Sequence, residues 1–223
     1  MIRKDRLVTG EIYHIFTKSI AEFKIFNSDH DYFRMKNILR YYQVERDIQL
    51  RFSEFIRLED IKRNGFDHSF LSISEHKEKM AQIIAYCFMP THVHLILKQL
   101  KDDGISRFMC NVLNSYSRYF NVKHKRRGPL WEGKFKNVLI ATDEHLLHLS
   151  RYVHLNPVTS YSVEKSEEWP WSSYREYLSR NNDDSICDYG ELLEIKTSEY
   201  KKFVEDRISY QRELAKIKKY LFD

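Results

Sequence analysis

Four short runs of apolar, β-branched and aromatic residues, each bounded by polar or turn residues, predict β-strands. The clearest is QIIAYCFMPTHVHLILK, where two such runs flank Pro90 and Thr91. Because proline and a polar neighbour favour a corner, this stretch predicts a β-hairpin. The predicted strands are residues 11–19, 82–89, 92–98 and 134–140.

Between these runs, apolar residues recur every three to four positions, which predicts helices at residues 29–44, 105–124 and 143–155. Asn156-Pro157 is expected to end the third helix, because the residue before proline disfavours the α region. The order β-α-β-β-α-β is similar to a split βαβ unit. We therefore predict an α+β fold with a ferredoxin-like core, an antiparallel sheet and helices on one of its faces.

Two stretches lie outside this core. Residues 45–80 are charged and loosely amphipathic, and predict one or two helical pieces broken near Asn64-Gly65, as an insertion. Residues 181–223 begin as a polar linker and continue as a charged helical tail. We therefore predict one domain over residues 1–180, carrying a helical insertion at about 45–80, followed by the helical C-terminal tail.

Composition narrows the class of protein. Hydrophobic residues make up 42% of the chain and charged residues 31%, which is typical of a soluble globular protein. No apolar run approaches a membrane span, and the N-terminal residues lack the features of a secretory signal. Three widely spaced cysteines favour neither a disulfide framework nor a zinc knuckle. We expect a cytoplasmic, nucleoid-associated protein with no membrane partner.

The charge and the aromatic residues favour nucleic acid as a partner. The net charge is +5, and the chain has 15 Tyr, 14 Phe and 3 Trp. Cations attract phosphate, and aromatic faces stack on unpaired bases. These features are densest in residues 117–136, although a solvated helix end and loop is the alternative interpretation. The candidate DNA-binding residues are Arg118, Tyr119, Lys123, Lys125, Arg126, Arg127, Trp131, Lys134 and Lys136.

The His-Val-His sequence in the hairpin is a candidate metal site. Side chains alternate faces along a strand, so His92 and His94 point the same way and Val93 points the other. Two adjacent imidazoles on a stiff strand can ligate one divalent cation. The alternative is that both histidines lie on the polar face of a half-buried strand.

A second candidate lies on the third predicted helix. Tyr152 and Asn156 are four residues apart and therefore share a helix face. A tyrosine hydroxyl, with an ordinary pKa of about 10, can attack a phosphate that a cation polarises. The amide oxygen of Asn156 is a suitable third ligand beside two imidazoles. The alternative is a core tyrosine followed by a helix-capping asparagine.

Five segments occur together in an order that resembles a known family. They are AYCFMPTHVHLIL, NSYSRYFN, GPLWEGKFK, RYVHLNPV and WPWSSYREYL. Together they resemble the IS200-like transposase family of HUH-type single-strand DNA endonucleases, specifically its REP-associated tyrosine transposase branch. This resemblance implies that His92, His94 and Asn156 are metal ligands and that Tyr152 is the nucleophile. The 45–80 insertion departs from the family's commoner form, as does Thr91, where asparagine or glutamate is frequent.

The resemblance also implies an activity. We expect a transposase that cleaves and rejoins single-stranded or hairpin DNA through a 5′-phosphotyrosine intermediate, assisted by Mg²⁺ or Mn²⁺. Relatives act either as homodimers or as monomers, and we expect this protein to have one of these two oligomeric states. Two alternatives are a domesticated, non-catalytic protein that binds hairpin DNA, and a metal-dependent hydrolase that activates water.

Overall fold

A four-stranded antiparallel sheet is the framework of the protein. The structure, a computed structural model, describes residues 6–45, 50–75, 77–179, 185–193 and 195–214. The strand order across the sheet is β2-β3-β1-β4, which places β3 and β1 at its centre and confirms the predicted ferredoxin-like α+β fold. The strands are β1 (Ile12–Lys18), β2 (Ala81–Met89), β3 (His92–Gln99) and β4 (Lys136–Ile140).

The helices lie on both faces of this sheet. The ones that matter for the site are α1, α4 and α5, which follow β1, β3 and β4 along the chain. No helix in the described part of the chain is both long and apolar enough to cross a membrane. The helices are α1 (Asp29–Gln43), α2 (Phe52–Phe55), α3 (Glu59–Ser74), α4 (Gly104–Lys123), α5 (Asp143–Thr159), α6 (Tyr174–Leu178) and α7 (Thr197–Glu205).

Each face of the sheet has its own apolar core. On one face, Val93 and Leu95 of β3 pack with residues of α1 and α4 such as Met35 and Phe108. On the other face, residues of β2 and β3 pack against α5, as Ile96 does with the cluster around Val153. The predicted helix layer is thus present on one face, and α5 adds a second layer on the other.

The insertion packs onto α1. Phe52, Phe55 and Phe70 belong to the same apolar core as α1, and Arg40 pairs with Asp67 across the contact. The break predicted near Asn64-Gly65 is present, because Gly65 has a φ of 82° within α3. A positive φ is easily adopted by glycine and strains other residues.

Pro157 does not end α5, and the predicted end of that helix at residues 155–156 was wrong. The helix continues to Thr159. Proline lacks the N–H that would bond to the carbonyl of Val153. That carbonyl instead accepts a hydrogen bond from the Asn156 side-chain amide at 3.4 Å, and Ser160 N–H bonds to the Asn156 carbonyl at 3.0 Å beyond it. Because the side-chain amide of Asn156 replaces the missing N–H donor, the helix continues past Pro157.

Part of the predicted C-terminal tail packs against α5. The Tyr200 hydroxyl lies 2.7 Å from His154 Nδ1 and 2.9 Å from Ser150 Oγ, and all three side chains are buried. His154 Nε2 lies 2.7 Å from Ser173 Oγ, so the network joins α5, α7 and the residue before α6. The domain boundary at residue 180 stays a prediction, and the helix predicted at residues 215–223 lies outside the described ranges.

A substitution at Gly104 tests how closely the start of α4 packs against Met80, the residue before β2. A Cβ at this position would lie 2.2 Å from the Met80 carbonyl oxygen, which already accepts a hydrogen bond from Leu100 N–H. We expect Gly104→Ala to lower the free energy of unfolding by about 2 kcal/mol or more, since backbone must shift. Urea unfolding measures this change.

The matched control for this prediction is Gly133→Ala. A Cβ at Gly133 has no atom within 4 Å, so its effect should stay within about 0.5 kcal/mol. Equal stability of the two variants would show that Gly104 packs less closely against the Met80 backbone than the structure indicates.

Candidate active site on the α5 face of the sheet

The two histidines of β3 lie side by side beneath α5. Their ring centroids are 5.1 Å apart and their planes are nearly perpendicular, at 88°. His94 is buried and His92 is partly buried. Val93, between them, lies in the opposite core, as strand alternation predicts. The structure therefore places both imidazoles on one face of a central strand.

One nitrogen of each imidazole is held by a protein group. His92 Nδ1 lies 3.1 Å from Thr91 Oγ1, and His94 Nδ1 lies 3.0 Å from His14 Nε2. Within the described ranges, Nε2 of His92 and Nε2 of His94 have no hydrogen-bond partner. The free nitrogen is thus the same atom in both rings, which suits two ligands of one cation.

Tyr152 packs edge-on against the His94 ring and is still open to solvent. The α5 helix places its ring centroid 5.7 Å from that of His94, with the planes at 88°. The side chain is 41% exposed. The structure therefore brings the predicted phenol and the predicted imidazole pair to the same face of the sheet, where a bound strand can reach both.

His14 of β1 belongs to this site, although its sequence context does not predict it. Its ring stacks on His94 with centroids 5.2 Å apart and lies 6.1 Å from the ring of Tyr152. The register explains the contact: Phe16 pairs with His94 across the β1–β3 ladder, so His14 lies two residues further along the same face. No local motif marks His14. Only the pairing of strands 80 residues apart brings it here.

Burial keeps the three imidazoles neutral at pH 7. It lowers the pKa of His14 to about 4, with a smaller Coulombic contribution from His145. Burial, with a contribution from Lys18, also lowers the pKa of His92 to about 4. For His94, burial and the two neighbouring histidines lower the pKa well below its usual value. A neutral imidazole has the lone pair that a metal ion requires.

Burial shifts the pKa of the Tyr152 phenol in the opposite direction, upward. It raises the pKa of Tyr152 above its usual value, with a smaller contribution from Cys87. The phenol is therefore protonated at neutral pH, and a reaction at its oxygen requires help in removing the proton.

Asn156 lies one turn after Tyr152, but its amide nitrogen faces its own helix. Nδ2 donates to the carbonyl of Tyr152 at 2.9 Å and to that of Val153 at 3.4 Å. Among the residues that the structure describes, no three His, Cys, Asp or Glu side chains form a ready-made metal cluster. The role of Asn156 as third ligand stays a prediction that would depend on its amide oxygen.

The predicted DNA-binding run divides into packed and exposed residues. Trp131 is buried and its indole N–H donates to the Leu113 carbonyl at 3.2 Å, so its ring is not open to a base. Arg126 bonds to Asn121 and to the Pro129 carbonyl, and Lys123 pairs with Asp31.

The remaining cations of the run are exposed. Lys136 of β4 has its ammonium 5.9 Å from the Phe16 ring, whose centroid is 6.2 Å from that of His94. Five exposed cations of the run form no ion pair with any described residue, and they are Arg118, Lys125, Arg127, Lys134 and Lys136.

The central part of the chain is similar to a known transposase family. Residues 61–156, which include the hairpin, α4 and most of α5, match the family model described as IS200-like transposase. This match confirms the resemblance to the IS200-like transposase family that the motifs indicate.

Two relatives are named after one branch of this family. The chain is 26% identical over 121 residues to a Haemophilus influenzae protein named for a REP-associated tyrosine transposase, covering 50% of this chain and 68% of that protein. It is 23% identical over 115 residues to the REP-associated tyrosine transposase of Escherichia coli K12, covering 51% and 65%.

One solved structure supports the fold. A REP-associated tyrosine transposase bound to a REP hairpin superposes with a TM-score of 0.51, at 15% identity, over 88% of this chain and 96% of that one.

Proposed function

We propose that this chain cleaves and rejoins single-stranded DNA through a covalent bond to Tyr152. The observation that carries the proposal is the position of the Tyr152 ring, 5.7 Å from that of His94 and 41% exposed to solvent. A buried tyrosine could not meet a DNA strand, and a distant one could not use the imidazole pair.

The reaction is a transesterification. The phenol oxygen of Tyr152 bonds to the phosphorus of a phosphodiester, and the bond from phosphorus to the 3′ oxygen breaks. The phenol loses its proton and the departing 3′ oxygen gains one, which leaves a 5′-phosphotyrosine and a free 3′-hydroxyl. Attack by a 3′-hydroxyl on the phosphotyrosine reverses the step and joins strands without ATP.

The donor atoms fit a divalent cation. His92 and His94 are neutral and present free Nε2 atoms on one face, and we propose Asn156 Oδ1 as a third ligand. Imidazole ligands favour Mn²⁺ over Mg²⁺, whereas Mg²⁺ is the harder, oxygen-seeking ion, so both are candidates. When bound, such an ion polarises a phosphate oxygen and stabilises charge in the transition state.

His14 has a positioning role in this proposal. For His94 Nε2 to carry a lone pair, Nδ1 must hold the ring proton, and His14 Nε2 lies 3.0 Å away as its acceptor. Partners of metal-binding histidines fix the tautomer and the ring orientation in this way.

We expect His14→Leu to raise the Mn²⁺ concentration needed for half-maximal cleavage by about 10- to 100-fold, the cost typical of removing such a partner. His14→Gln should lose less, because its amide oxygen can accept from His94 Nδ1–H. The measurement is cleavage against Mn²⁺ concentration, with thermal unfolding of each variant as the folding control. Identical metal dependence in wild type and both variants would remove His14 from this role.

The proposed substrate is DNA that forms a hairpin. The solved neighbour is bound to a REP hairpin, and the exposed cations Lys134 and Lys136 lie at the β4 side of the site, where phosphates could be held. Tyr152 faces histidines of its own chain, which supports a monomer that acts without a partner's tyrosine.

The test is capture of the covalent intermediate. A labelled hairpin oligonucleotide with single-stranded flanks is incubated with the protein in Mg²⁺ or Mn²⁺, and denaturing gels are used to detect a protein–DNA adduct. Residues 152–165 form one tryptic peptide that contains both Tyr152 and Tyr161, so fragmentation must place the adduct. DNA on Tyr152 supports the proposal. Hairpin binding without an adduct in either metal favours a non-catalytic binding protein.

A further inference from the structure

A groove of about 1080 Å³ separates α4 from the insertion. It lies on the α1 and α4 side of the sheet, opposite the face that carries Tyr152 and the histidines. Residues of α2 and its flanks form one wall, and α4 forms the other. The groove is therefore separate from the candidate active site, and residues of the insertion form one of its walls.

The lining of the groove is strongly basic. Six of the described side chains that line it are cations, and one, Asp103, is a carboxylate. Bringing like charges together is unfavourable unless an anion or solvent compensates them. The lining cations are Arg34, Arg51, Arg57, Arg107, Arg118 and Lys123.

Four of these six cations have no carboxylate partner among the residues that the structure describes. Arg107 pairs with Glu45 and Lys123 with Asp31, so these two are neutralised within the protein. Among the residues that the structure describes, the side chains of Arg51, Arg57 and Arg118 form no ion pair, and all three are exposed. The two walls thus face each other with unneutralised guanidinium groups.

Arg34 lies at the base of this arrangement with an unused donor. Its guanidinium is 4.4 Å from the centroid of the Tyr119 ring and 5.0 Å from that of Phe52, so the aromatic rings hold it in place. Its Nε is buried and has no hydrogen-bond partner in the described part of the chain. Burial and the nearby charge of Arg57 lower the pKa of Arg34. A buried donor without an acceptor costs free energy, which a bound anion would recover.

We propose that this groove binds the sugar-phosphate backbone of duplex DNA, namely the stem of the hairpin whose flank is cleaved on the opposite face. The proposal rests on the proposed function only in taking hairpin DNA as the ligand. Guanidinium groups are suited to phosphate because they donate two parallel hydrogen bonds. Contacts of this kind position a duplex without reading its sequence.

The aromatic residues of the groove support a duplex over a single strand. Single-strand sites stack bases on open aromatic faces. Here the Tyr119 ring is covered by Arg34 and its hydroxyl donates to Asp31 at 2.6 Å. The Tyr42 ring packs edge to face with Tyr41, with centroids 5.0 Å apart and planes at 81°, and its hydroxyl accepts a hydrogen bond from Phe52 N–H at 3.2 Å. Because both tyrosines are used within the protein, the groove offers charge and little stacking surface.

The test compares the double variant Arg51→Gln/Arg57→Gln with wild type in hairpin binding, measured in EDTA so that no cleavage occurs. We expect weaker binding by about tenfold or more at low salt, and a slope of log K against log salt that falls by about 0.9 for each phosphate that the variant no longer neutralises. The control is Arg63→Gln, an exposed arginine of α3 outside the groove. It should leave both quantities unchanged.

Two results would overturn the proposal. One is an affinity and a salt slope of the double variant equal to those of wild type, with unfolding curves showing that both proteins are folded. The other is an equal drop in affinity for a scrambled single strand of the same length, which would assign the groove to single-stranded nucleic acid. Because binding is measured without cleavage, the groove test does not depend on whether Tyr152 reacts with DNA. The adduct assay for Tyr152 likewise remains valid if the groove does not bind DNA.

Discussion

A Tyr152→Phe variant is expected to lose covalent adduct formation and hairpin cleavage, by at least about 1000-fold, the scale expected when a nucleophile is removed. The change deletes one oxygen atom and keeps the ring that packs beside His94 and His14. Binding of the hairpin should therefore stay within about twofold of wild type, since a surface change of this size is worth under about 0.5 kcal/mol. Gel analysis of cleavage and a binding titration measure the two quantities.

The matched control is Tyr161→Phe. Tyr161 is 51% exposed and follows α5, and its hydroxyl bonds only to the Arg212 carbonyl, at 3.3 Å, among its described contacts. This variant should cleave as wild type does. Equal cleavage by wild type and Tyr152→Phe would remove Tyr152 from the reaction and favour a hydrolase that activates water.

The second large effect is expected at His94. We expect His94→Gln to lower the rate of metal-dependent adduct formation by at least about 100-fold, the order that one stabiliser of transition-state charge contributes. Glutamine keeps a comparable volume and can still bond to His14, so the strand should remain folded. The rate is measured under single-turnover conditions over a range of Mn²⁺ concentrations.

His124→Gln is the control for this change. His124 is exposed at the end of α4, and its ring packs at a 36° tilt on Phe120, which belongs to the core on the sheet face opposite the histidines of β3. Its rate and metal dependence should match those of wild type. If His94→Gln also kept the wild-type metal dependence, the cation would have to be bound elsewhere.

Periodic patterns predicted the parts of the fold that depend on short-range rules. Alternation along a strand placed His92 and His94 on one face, and the element order predicted the ferredoxin-like sheet. The same pattern does not specify which face of the sheet α5 covers. Tyr152 lies over the histidines because α5 packs on the Ile96 side, and that choice depends on the complementary shapes of two apolar surfaces.

Long-range contacts explain what the sequence did not predict. His14 lies next to His94 through strand pairing, and a single histidine in an apolar run carries no signal of its own. Pro157 was expected to end α5, but the Asn156 side chain supplies a hydrogen bond that the general rule omits. The basic groove also escaped prediction, since its two walls are distant in sequence and meet only where the insertion packs onto α1.

The most direct test of the proposed site is a crystal structure of the protein soaked in Mn²⁺, with the ion located by its anomalous scattering. We predict one strong peak bonded to Nε2 of His92 and Nε2 of His94, on the face covered by α5 and within reach of the Tyr152 hydroxyl. A peak bound by other side chains, or no peak beside the two imidazoles at saturating Mn²⁺, would contradict metal-assisted chemistry at this tyrosine.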